Sequence, residues 1–94
     1  MAQVSEIKAL LDASRSDEAI AASNALLGSA GVDKATMAMA YYLRGNAYRQ
    51  QGNWRMAINS YLEAIELDPD GPAVMAYNNA QEILAFFNKD LYNP

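Results

Sequence analysis

Stretch after stretch, this chain spaces its apolar side chains three and four residues apart, and no segment alternates apolar and polar with period two. That spacing puts the apolar atoms on one stripe of a helix, so the chain is read as all-α. Val4, Ile7, Leu10 and Leu11 share the first stripe, which stops at Ser14-Arg15-Ser16. Ser16 is placed to cap a second helix, with Asp17 and Glu18 at its positive end. Ala19, Ile20, Ser23, Leu26 and Leu27 form that second stripe, ended by Gly28 and Gly31. Asp33 is the cap of a third helix carrying Met37, Ala40, Tyr41, Ala47 and Tyr48, which closes at Gln51-Gly52. Asn53 then caps a fourth, with Trp54, Ala57, Ile58, Tyr61, Ala64 and Ile65 aligned. Pro69 forces Asp68 out of the helical region. Pro72 opens a fifth helix with Ala73, Ala76, Tyr77, Ala80, Leu84 and Phe87, fraying toward Asn88-Lys89-Asp90.

Composition decides against chemistry. The 94 residues contain no cysteine and no histidine. Disulfide scaffolds, zinc ribbons and thiol catalysis are therefore excluded, and the commonest general base and transition-metal ligand are missing. Asp68-Pro69-Asp70-Gly71 resembles the opening of a calcium loop, but the closing bidentate Glu is absent. Glu63 and Glu66 read as a solvated helix face. A serine nucleophile would have no base, and Gly45 and Gly52 read as packing and turn residues rather than a phosphate loop. No catalytic residue, metal or cofactor is expected. Apolar residues are too scattered for a membrane span, and Met1 to Glu6 lacks the basic start of a signal peptide, so a cytoplasmic protein is expected.

Charge is unevenly placed. Residues 34–62 hold Lys34, Arg44, Arg49 and Arg55 with no acid, between flanks dominated by eleven acids in all. Tyrosines and a tryptophan in that basic centre fit the core stripe, and the net charge of −4 disfavours nucleic acid as a partner.

The chain also repeats itself. Ala19-Ile20 and Ala57-Ile58, each near the start of the second helix of a hairpin, lie 38 residues apart. Residues 38–71 then resemble a tetratricopeptide repeat, a helix-turn-helix unit of roughly 34 residues. The resemblance rests on Tyr41-x2-Arg44-Gly45-x2-Tyr48, Gly52 at the turn, Ala57-x3-Tyr61, Ala64 and Pro69, with Arg44 standing where the family usually has leucine. Residues 4–31 are similar to a degenerate repeat, with Ile7 at the small-residue site, Leu10 at the aromatic site and Ala19 retained. Residues 72–90 resemble an opening helix without its partner, expected to act as a cap, with Phe86-Phe87 and Leu91-Tyr92 folding back. The resemblance implies one domain over 1–94, a right-handed α-α superhelix of two helix hairpins plus a C-terminal capping helix.

It also implies a function. In this family the first helix of each pair lines a concave groove that commonly holds an extended peptide. Mapped here, the groove face carries Met39, Tyr42, Asn46, Arg49 and Gln50, with Val4, Lys8 and Asp12 from the first helix. Asn46 matches an asparagine that bonds the ligand's backbone in many members, and Lys8 and Arg49 are cations for acidic groups. The carboxylate-clamp subset needs a lysine where this chain has Tyr42, so chaperone-tail binding is not assigned. The expectation is a non-catalytic protein-interaction module for a peptide or partner subunit. The alternative is a homodimer through apolar residues near Val4, Leu11, Phe86, Phe87 or Tyr92, since an array this short leaves an end helix unpartnered.

Overall fold

The computed structural model describes the backbone of residues 3–92 and the side-chain surroundings of residues 3–86. Within them are five helices and no strand: α1 Val4–Asp12, α2 Ser16–Leu27, α3 Lys34–Gln50, α4 Trp54–Leu67 and α5 Ala73–Tyr92. Short turns join α1 to α2 and α3 to α4 as hairpins, and the pairs stack as an α-α superhelix in which α3 packs on α1, α2 and α4, and α5 packs on α4.

Local chemistry explains the element ends. Asp33 accepts the Thr36 N–H at 3.0 Å and Asn53 accepts that of Met56 at 3.3 Å, so both expected caps are present. Asp68 leaves the helical region at φ −144°, as the following proline requires. One expectation is corrected. Ser16 does not cap α2 but is its first helical residue, and Arg15 in the cap position makes no side-chain cap bond. The turn is closed by main chain instead: Arg15 N–H donates to Leu10 C=O at 2.8 Å, with Ser14 at φ +59°. Thirty-eight residues on, Asn53 N–H donates to Tyr48 C=O at 2.9 Å, with Gly52 at φ +73°. Helix α5, expected to fray toward Asn88–Asp90, is helical to Tyr92. The expected packing of Phe87, Leu91 and Tyr92 falls outside the described side chains.

Two apolar clusters form the core. Ile7, Leu11, Ala19, Leu26, Ala40, Leu43 and Ala47 make the first; Ala57, Tyr61, Ala64, Ala73 and Ala80 make the second. Tyr42 packs against both and joins them. Ala19 and Ala57 are fully buried, as close helix approach demands. Helix α3 departs from its predicted stripe: its buried residues are Ala38, Ala40, Leu43, Gly45 and Ala47, while Met37, Tyr41 and Tyr48 are half-buried. The cause is position. A helix sandwiched between neighbours buries several faces and keeps no single apolar stripe.

The exchange of bulk between the hairpins shows how each is filled. At Gly45 a methyl group would sit 2.6 Å from Tyr61 Cδ1 and closer still to Cε1, so the ring occupies the space a side chain would need. The positions 38 residues earlier are Ile7 and Ser23, both fully buried, with the large residue on the first helix and the small one on the second. Ser23 satisfies its hydroxyl by donating to Ala19 C=O at 2.7 Å.

A concave groove centred on one helix

Two cavities meet on α3. One of about 580 Å³ lies between α3 and α5, and a second of about 380 Å³ lies between α1 and α3. Tyr42, Asn46 and Arg49 line both, so the two form one continuous groove across three helices. The α1 side adds Lys8, Leu11, Asp12, Leu43 and Gln50. The α5 side adds Val74, Met75, Asn78 and Asn79, with Asp70 and Pro72 from the preceding connection. Helix α5 therefore walls the groove rather than covering it.

Of the residues proposed from the sequence, Lys8, Asp12, Tyr42, Asn46, Arg49 and Gln50 line this groove. Met39 does not. It packs on the first core cluster and faces a small crevice between α3 and the start of α5. Val4 is half-buried against the same cluster rather than in the groove. Two of the groove amides already have partners. Asn46 Oδ1 accepts the Tyr61 hydroxyl at 2.6 Å, and Gln50 Nε2 donates to Leu11 C=O at 2.9 Å, satisfying a carbonyl near the end of α1. The α5 contributors were missed because that helix was read only for its core stripe. Val74, Met75 and Asn78, spaced one and three apart on the complementary face, were the available signal.

Hydrogen bonds and ion pairs separate the tied charges from the others. Arg44 is structural: its Nε donates to Ser60 Oγ at 3.1 Å, its Nη1 donates to Asn24 Oδ1 at 2.9 Å, and its guanidinium lies 4.9 Å from the Tyr41 ring centre. That fills the usual leucine site with a polar tie across α2, α3 and α4. Lys8 and Arg49 form no ion pair among the described residues, where the ion pair found is Arg15 with Glu18 at 2.7 Å on the exposed surface. Burial pushes the Tyr61 hydroxyl up to about 12, with nearby Arg49 opposing the shift and Tyr42 adding to it. Tyr61 thus stays a neutral donor at physiological pH. Its ring lies 6.1 Å from that of Tyr42, tilted by 39°.

Among the described residues no group of acids could hold a metal ion, and no helix is long and apolar enough to cross a membrane. A family model for the tetratricopeptide repeat matches residues 38–70. The chain is also similar to the Bacteroides fragilis protein BF1650, whose structure was solved by solution NMR. The likeness has a TM-score of 0.84 and 43% sequence identity, and covers 99% of this chain and 91% of that one. No curated protein matches it. Repeats of this type are generally protein-interaction modules. With two stacked hairpins and a fifth helix among the described residues, and the repeat signature on the pair whose first helix carries the groove, the chain belongs to the tetratricopeptide repeat family.

Proposed function

We propose that this protein is a non-catalytic interaction module that holds an extended segment of a partner protein in the groove across α1, α3 and α5. One observation carries the reading: Tyr42, Asn46 and Arg49 on α3 line both cavities, which makes a single trough along which Lys8 and Arg49 are cations without an ion pair among the described residues. Donors from Lys8, Arg49 and the Asn46 amide suit a peptide's carbonyl and carboxylate oxygens, while Val74 and Met75 offer apolar contact beside them. Residues 4–31 act in this reading as a degenerate repeat and 72–90 as the capping helix of one 1–94 domain. A cytoplasmic setting suits a chain without cysteine. Changing Asn46 and Arg49 together to Ala should weaken capture of the natural partner while circular dichroism and melting remain those of a folded domain. Undiminished capture by the folded double variant would refute the proposal.

A second reading, self-association, is favoured by Met75 and Phe86, exposed at 73% and 67% on the end helix. Leu11 is buried and Val4 half-buried, so the α1 surface expected to contribute is not available. Sedimentation across a dilution series decides: a concentration-independent monomer rules it out.

A further inference from the structure

The groove's central amide is held from behind. Tyr61 sits on α4, fully buried, and its hydroxyl reaches Asn46 on α3 at 2.6 Å. The route exists because residue 45 has no side chain: any Cβ there would collide with the ring. Direction follows from satisfaction. Tyr61 makes no other hydrogen bond among the described residues, so its proton belongs to Asn46 and the amide must present oxygen to it. The Asn46 NH2 is then left without a partner among the described residues, on a side chain that lines both cavities. An unheld asparagine could flip and offer either a donor or an acceptor; this one offers donors.

The first hairpin has no such device. At the positions 38 residues earlier, Lys8 replaces Asn46, Ile7 replaces Gly45 and Ser23 replaces Tyr61. The Ser23 hydroxyl turns back onto its own helix, and Lys8 remains exposed. Gln50 spends its NH2 on the Leu11 carbonyl, so Asn46 is the held groove amide whose donors are left over, beside cations on flexible stems.

Resting on the peptide-groove reading above, we propose that Tyr61 is a positioning residue for recognition: it commits Asn46 to donate into the groove, so that this point selects a main-chain carbonyl of an extended peptide. A fixed donor loses less entropy on binding than a free one, and an acceptor in the ligand is required to match it.

The test uses the full chain and peptides selected on it from a displayed library of random 12-residue sequences. Affinities are measured for wild type, Tyr61→Phe, Asn46→Asp and Asn46→Ala. Tyr61→Phe is expected to weaken binding about fivefold, the worth of one ordinary hydrogen bond. Asn46→Asp still accepts from Tyr61 but turns the donor into an acceptor, and is expected to weaken binding at least as much. In the Asn46→Ala background, adding Tyr61→Phe should change affinity no further, which a merely structural role for the hydroxyl would not produce. The sensitivity to Tyr61→Phe should also persist through an alanine scan of the peptide, because the acceptor is main chain.

Loss on Asn46→Ala without loss on Tyr61→Phe or on Asn46→Asp overturns the positioning role and leaves the groove reading standing. A single peptide alanine that abolishes the sensitivity overturns the carbonyl assignment. Failure to select peptides, or indifference to Asn46→Ala, overturns the groove reading and this inference with it.

Discussion

Gly45→Ala isolates what the tyrosine demands of its neighbour. In an unconstrained helix the change would help by about 1 kcal/mol, because glycine carries the larger backbone entropy. Here the new methyl would stand 2.6 Å from Tyr61 Cδ1, within a ring fully buried and anchored at its hydroxyl. Such overpacking costs about 1–3 kcal/mol, and displacing the ring forfeits the bond to Asn46, worth about 1 kcal/mol more. The net expectation is a loss of about 1–3 kcal/mol, seen as a melting temperature lower by about 5–20 °C for a domain of this size. Urea titration followed by circular dichroism measures it. The second arm supplies the cause: in a Tyr61→Ala background, kept folded with sucrose, the same substitution should become stabilising. A neutral or stabilising Gly45→Ala in the parent chain, or the same sign in both backgrounds, would refute the reasoning.

Two further expectations concern the turn and alkaline pH. Ser14→Gly should stabilise by about 0.5–1 kcal/mol, since a left-handed serine costs more than the extra unfolded-state freedom of glycine; urea midpoints test it, and Gly52→Ala should move the opposite way. Because burial raises the Tyr61 pKa from 10.0 to about 12, its folded state holds the proton longer than the unfolded one. Its contribution is full below pH 10 and is lost as pH rises toward 12, so Tyr61→Phe should lose less stability than wild type across that range in parallel melts.

What the sequence revealed follows from how far each determinant reaches. Asp33 and Asn53 declare their helix starts because a cap acts within three residues. The repeat signature, likewise, is a pattern of sizes at fixed spacing. Ser14 was legible in retrospect, since it stands 38 residues before Gly52 and shares its left-handed backbone. The bonds that determine side-chain roles in the groove join residues far apart in the chain. Asn46 and Tyr61 are 15 residues apart and Gln50 and Leu11 are 39 apart, and no local rule pairs them. Met39 was misplaced for a related reason: α3 has neighbours on several sides, so helical spacing alone could not say which face was open.

The polar ties from α3 and the residue that caps it carry a consequence for how the molecule comes apart. Arg44 reaches Asn24, Gln50 reaches the Leu11 carbonyl and Gln51 reaches Asp17 at 2.5 Å, each crossing from the second hairpin to the first. Repeat arrays are usually modular, with apolar seams that accept one unit in place of another. Directional bonds do not; they address particular atoms at a particular register. The expectation is that the two hairpins melt as a single cooperative unit, and that grafting a consensus repeat in place of α1 and α2 would restore bulk and a main-chain carbonyl for Gln50 while leaving Arg44 and Gln51 without the Asn24 and Asp17 side chains they address. Such a chimera should melt in two steps where the natural chain melts in one.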